Sequence, residues 1–347
     1  MNADGRRWGD SEKSARFSHA RELAEQGRNF DGVAFLSTGI NRFGAKARGF
    51  GRVGFGFERI RHVVEFLAMN VYELKAKQGR ALGFHRNQVC PPCTYKAALC
   101  ALAGGFGFMT TQSLNYTSGA LDCEGFLAYD ETQSGPRPGV LIAHAWKGVT
   151  DVEKGRAVQL AERGYVAFAL DLYGRGNAPE TLDEALAGIG MLKSNRALWR
   201  ERAGDGLKTL QEQSQVDVSK IAAIGFCLGG GTALELARSG ADLRGVVTFH
   251  GSLDTPTPED AKNIKGRVLV LHGASDPRVP LSAVVELCEE MTNAGVPFEV
   301  VLYGQTKHGF TNPEAGTDTS KPNFYSADAD KRSFAAMLAF FGEIFQQ

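Results

Sequence analysis

The feature that most constrains this chain is Gly225-Phe226-Cys227-Leu228-Gly229-Gly230-Gly231. It follows the apolar run Lys220–Ile224 and precedes a helical stretch, Thr232–Arg238, so Cys227 sits on a strand-to-helix turn. A turn that sharp presses strand and helix together, and the positions two before and two after the nucleophile need to lack a Cβ. The helix that follows opens with unpaired N–H groups and a partial positive charge. Both favour a thiolate at Cys227 and, through the Leu228 N–H, a bound oxyanion. The plainer alternative is a glycine-rich turn around an inert buried thiol.

Such an elbow requires an acid after a later strand and a histidine after the last one, in that chain order. Val268–Leu271 runs into a loop carrying Asp276, and Phe298–Leu302 runs into a loop carrying His308. Cys227, Asp276 and His308 therefore form the expected triad. Asp254, after the preceding strand, is a competing acid. His250 and His272 end strands inside apolar runs and read as structural. His144, at a strand end, fits a lining role as well as a structural one.

The surrounding pattern is α/β. Val140–His144, Val166–Leu170, Ile221–Phe226, Val246–Phe249, Val268–Leu271 and Phe298–Leu302 are short apolar runs. Between or after them lie the helical stretches Val152–Arg163, Leu228–Arg238, Ala283–Ala294 and Ala329–Phe345. Alternation of this kind predicts a mostly parallel sheet with helices on both faces. Ahead of them, Ser113–Ala128 predicts an edge hairpin turning at Ser118-Gly119. The segments 174–192 and 311–324 read as pocket-shaping loops.

Charge marks a boundary near Met109. Residues 1–108 carry a net +8 and residues 109–347 a net −8, within a chain of zero net charge. The first segment is rich in Arg, Gly and Phe, with one amphipathic helix at Glu58–Lys77, and a lone helix cannot build a core. Three readings stay open for it: a poorly structured extension, a stretch upstream of a true start at Met109, or an accessory domain. Cys90-Pro-Pro-Cys93 has dithiol or half-zinc spacing, but no strand precedes it and only Cys100 and His85 are near as the two further ligands zinc needs, so no metal is expected. Arginine with interleaved aromatics permits nucleic-acid contact there, although a solvated tail is the simpler reading. No apolar run reaches the roughly 20 residues of a membrane span, and no secretory h-region opens the chain. The cysteines suggest no disulfide framework among the six present. A cytoplasmic protein without membrane or nucleic-acid partners is expected.

Residues from about 114 to 345 resemble the dienelactone hydrolase family of α/β-hydrolases. The likeness rests on Gly225-Phe-Cys227-Leu-Gly-Gly, Ala169-Leu-Asp-Leu-Tyr-Gly-Arg175, Gly273-Ala-Ser-Asp276 and His308-Gly-Phe310. It implies a cofactor-free hydrolase of small-molecule lactones or esters, of the carboxymethylenebutenolidase type, acting as a monomer or weak homodimer. It also implies Trp146 N–H as second oxyanion donor and substrate contacts from Arg175, Tyr173, His144 and Asn312. Two departures stand out. The family's thiol-activating glutamate falls at Ala145, and one of its two substrate-clamping arginines falls at Asn312. An amide in place of a guanidinium loses charge and bidentate geometry, so less anionic substrates are implied. The missing glutamate also leaves open a rival from another class, a non-catalytic or regulatory ligand-binding protein.

Overall fold

The computed structural model describes residues 109–346. The extension, the Glu58–Lys77 helix, the Cys90/Cys93 pair and the Arg/Gly/Phe stretch lie outside the described residues. The strands are β1 (Met109–Ser118), β2 (Leu121–Asp130), β3 (Arg137–Ala143), β4 (Val166–Leu170), β5 (Val216–Phe226), β6 (Gly245–Phe249), β7 (Arg267–Gly273) and β8 (Phe298–Tyr303). They form one eight-stranded sheet in the order β1-β2-β4-β3-β5-β6-β7-β8. β1 and β2 are the antiparallel hairpin, and β2 pairs antiparallel with β4. Every pairing from β4 to β8 is parallel.

The helices are α1 (Asp151–Ala161), α2 (Leu182–Ser194), α3 (Arg196–Gln211), α4 (Leu228–Arg238), α5 (Leu281–Ala294) and α6 (Ala327–Ile344). Alternation along β3 decides which face each side chain joins. Val140 and Ile142 pack with Leu160 of α1 and with Met337 and Phe341 of α6. Leu141 and Ala143 join Trp199 of α3, Leu234 of α4 and Leu287 of α5 on the opposite face. The sheet is thus covered on both sides, which is why its central strands read as unbroken apolar runs. Phe341 is fully buried, and truncating it to alanine should cost about 3–5 kcal/mol.

The helix at 182–194 stands where the sequence suggests only a loop. Its capping box of Thr181 and Glu184 starts it, but Leu182, Leu186 and Met191 are exposed. Gly188 and Gly190 weaken its propensity, so its periodicity is blurred. α4 is held from behind by charge as well as by packing. Arg238 donates two 2.8 Å hydrogen bonds to Glu290 of α5 and one of 3.0 Å to Glu235 on its own helix. All three side chains are buried, and breaking such a pair strands a charge in low dielectric. The N-terminus of this anchored helix carries Cys227.

Candidate active site

Cys227 lies between β5 and α4 with φ 55° and ψ −113°, a backbone conformation that costs a non-glycine residue energy and persists only where its surroundings impose it. They do so through hydrogen bonds. The Cys227 N–H donates to the Phe249 carbonyl, and the Cys227 carbonyl accepts from Gly230 and Ser252, each at 3.1 Å. A Cβ on Gly225 would lie 1.8 Å from the Gly229 carbonyl oxygen, and one on Gly229 would lie 2.0 Å from that of Ala143. The glycines of the motif are therefore what lets the strand and the helix meet.

The loops after β7 and β8 bring Asp276 and His308 to the same edge, at the carboxyl ends of the parallel strands. His308 Nδ1 is 2.8 Å from Asp276 Oδ2. Asp276 Oδ1 accepts from the Arg278 and Val279 N–H groups at 2.8 and 3.1 Å, so both carboxylate oxygens are committed and the His308 ring is oriented. His308 Nε2 is buried without a conventional hydrogen-bond partner. Burial works against ionisation at all three groups. Against it, the charge and contact of His308, then the Leu228 N–H and the Arg278 charge, hold the Cys227 thiol below its usual range. Burial would lower His308, but the Cys227 charge and the Asp276 hydrogen bond push it up to about 9. Asp276 is held low, against its burial, by His308 and the two backbone N–H groups. Both shifts run in the direction of a thiolate facing an imidazolium.

The other expected residues divide. Ala145, Trp146 and Asn312 line a small cavity of about 50 Å³ beside Cys227 and His308. It runs into a shallower depression of about 270 Å³ bounded by Trp146, Asn312, Lys321 and Asn323. The Trp146 N–H has no hydrogen-bond partner among the described residues. Asn312 Oδ1 accepts from the Glu314 N–H at 2.9 Å and so is partly engaged. His144 is buried away from the cavity wall. Its Nε2 accepts from the Leu172 N–H at 3.0 Å and its Nδ1 is 2.6 Å from the Ala145 carbonyl oxygen, contacts that suit a structural histidine. Tyr173 is buried with its ring 5.0 Å from that of His144. Burial raises its phenol, and so does the Cys227 charge. Arg175 is exposed and outside the cavity lining. Asp254, the competing acid, is bound at 2.7 Å to Lys193 and 3.0 Å to Arg196. His272 Nε2 lies 3.0 Å from the Val279 carbonyl, in keeping with a structural role.

Three contributors escape the sequence pattern. His250, with φ 40°, lines the cavity and meets His308 edge to face at 5.1 Å between ring centroids. Glu153 is a buried carboxylate in the cavity wall. Arg278 donates to Asn323 at 2.8 Å and adds positive charge near the thiol. The strand end at His250 could have signalled the first; nothing local signals the others. Across the mouth, Lys147 and Glu314 form a half-exposed ion pair at 3.1 Å. Among the described residues, no cluster of His, Cys, Asp and Glu could hold a metal ion, and no helix is long and apolar enough to cross a membrane.

Residues 123–345 match the dienelactone hydrolase family. The chain is 41% identical to a dienelactone hydrolase-like promiscuous phosphotriesterase from metagenomic libraries, with a TM-score of 0.65, covering 68% of this chain and 99% of that one. It is 27% identical over 231 residues to a putative carboxymethylenebutenolidase of Saccharolobus solfataricus, covering 57% of this chain and 87% of that protein. It is also 34% identical over 151 residues to an uncharacterized protein of Caenorhabditis elegans, covering 42% and 94%.

Proposed function

Because the chain belongs to the dienelactone hydrolase family and is a lactone or ester hydrolase, we propose that it works through Cys227, His308 and Asp276 by way of a thioester. The observation that carries this is the oriented, cationic His308 beside a depressed thiol. The thiolate attacks the carbonyl carbon; a C–S bond forms and the carbonyl π pair moves to oxygen. The Leu228 and Trp146 N–H groups receive that oxyanion, each worth about 3 kcal/mol by analogy with measured donors. As the tetrahedral centre collapses, the C–O bond breaks and the His308 proton passes to the leaving alkoxide. Neutral His308 then takes a proton from water, the hydroxide equivalent attacks the thioester, and C–S cleavage restores the ion pair. With a lactone, acid and alcohol leave as one molecule.

Hydrolysis of short-chain aryl esters and small lactones by wild type, Cys227→Ala and His308→Ala tests this. Each variant should lose at least about 10³-fold in kcat/KM; full activity in either overturns the assignment. The cavity supports small, weakly anionic substrates. Arg175 faces solvent and Asn312 brings no charge, while Lys147 is neutralised by Glu314. A series of lactones with and without a carboxylate checks this, and a strong preference for the carboxylate forms contradicts it. A second reading adds phosphotriesters, attacked by the same thiolate, because the relative named for that activity is 41% identical. Release of nitrophenol from a diethyl aryl phosphate, absent in Cys227→Ala, is its test. The unpaired Cys123, Cys227 and Cys288 suit a reducing cytoplasm, which subcellular fractionation checks.

A further inference from the structure

We propose that Glu153 is a positioning residue that fixes the oxyanion-binding turn between β3 and α1. The proposal rests on the assignment above of the Trp146 N–H as an oxyanion donor.

Glu153 lies in the first turn of α1 and is only 2% exposed. A buried carboxylate is costly unless its lone pairs are satisfied, and among the described residues no ion pair satisfies them. Oε2 accepts from the Thr150 N–H at 2.9 Å and from the Thr150 hydroxyl at 2.6 Å. Those contacts belong to a capping box and by themselves would only start the helix. Oε1, however, accepts from the Ala145 N–H at 3.2 Å, eight residues upstream. One carboxylate therefore ties both ends of the turn 145–150, and Trp146 lies inside it. Glu153, Ala145, Trp146 and Thr150 all line the same cavity as Cys227.

The rest of this turn is held by partial packing of Ala145 and Val149 against the core and by the His144 contact to the Ala145 carbonyl oxygen, while Lys147 is exposed and Gly148 adopts φ 81°. The first oxyanion donor, Leu228, sits on an elbow pinned by glycine contacts and backbone hydrogen bonds. For the second, the Glu153 tie joins both ends of the turn. Donors act on a developing oxyanion only when held within about 0.5 Å of the productive position. Loosening the tie should therefore slow the acylation of Cys227 without changing how reactive the thiol is. Glu153 receives three hydrogen bonds of its own, and the groups that lower the thiol are His308, the Leu228 N–H and Arg278. Glu153 is thus no stand-in for the absent carboxylate at Ala145.

The test compares Glu153→Ala and Glu153→Gln with wild type and Cys227→Ala in two assays: kcat and KM for 4-nitrophenyl acetate, and the rate of Cys227 alkylation by iodoacetamide, a reaction without an oxyanion. Glu153→Ala should lower kcat by about 100-fold with KM changed less than about threefold. Its alkylation rate should stay within about twofold of wild type. Glu153→Gln keeps an acceptor for the Ala145 N–H and should recover about tenfold of the lost kcat. A kcat for Glu153→Ala within about threefold of wild type overturns the proposal, and so does an alkylation rate that falls in step with kcat. If Glu153→Ala does not fold, Glu153→Gln decides alone: a lowered kcat with unchanged alkylation supports the proposal, and a wild-type kcat overturns it. Cys227→Ala separates the two levels. If it hydrolyses the ester, the thioester reading fails and takes this proposal with it; if it is inert while Glu153→Ala runs at full rate, only the Glu153 proposal fails.

Discussion

His250 and His308 sit with ring centroids 5.1 Å apart, both buried and both at the end of the sheet that carries the cavity. They are driven in opposite directions. Burial, then the charge of His308, holds His250 well below the ordinary histidine range. His308 is raised to about 9 because Asp276 and Cys227 flank it with negative charge. Burial alone neutralises a histidine; burial beside two anions makes it a cation. His250 Nε2 lies 2.8 Å from the Thr311 hydroxyl and Nδ1 has no partner, so it serves as neutral, shape-defining backing for the His308 ring.

The largest effect that separates the pair is deletion of each ring. His308→Ala should cost about 10⁴-fold in kcat/KM, whereas His250→Phe, which keeps the edge-to-face packing, should cost about tenfold. Comparable losses would erase the distinction. Next comes Asp276→Asn, expected to cost about 10³-fold by allowing the wrong His308 tautomer and to move the alkaline limb of the rate profile downward. An unmoved limb would mean that Asp276 does not support the cation.

The pH dependence follows from the directions of the shifts. His308 is raised above its free value of about 6.5. Its contribution to folding is therefore complete below that value and is lost as pH climbs through about 9. Cys227 is lowered, so the thiolate's contribution is present above the unfolded thiol range and is lost as pH falls through its folded value. Ester hydrolysis should plateau between these limits and fall above pH about 9, when His308 no longer carries a proton for the leaving group. Pre-steady-state rates across pH check the plateau. The smallest effect is Thr311→Val, which removes the His250 partner and should lower stability by about 1 kcal/mol in thermal melts while leaving the pH profile in place.

How much of this was legible in the sequence follows from what is local and what is not. Cys227 lies in a glycine motif whose steric demands act within a few residues, so its conformation could be read directly. Asp276 and His308 follow strands in a fixed order, so topology placed them near the thiol. The strands Val166–Leu170 and helix Leu228–Arg238 were legible to the residue, because their burial pattern is unbroken. α2 was not, because much of its apolar surface faces solvent. Glu153 and Arg278 act through contacts set by turn geometry, and no spacing rule encodes those. Arg175 shows the converse. The family resemblance implies a substrate contact there, and the side chain is exposed and stands outside the cavity lining.

The proposed mechanism requires Cys227 to be a thiolate sustained by His308, with Ala145 where the family resemblance implies an activating glutamate. The pH dependence of Cys227 alkylation by iodoacetamide tests it most directly. In wild type the rate should already be near its plateau at neutral pH, and in His308→Ala the midpoint should rise to about 8.5, the ordinary thiol value. A wild-type midpoint near 8.5, unchanged in His308→Ala, would contradict the account.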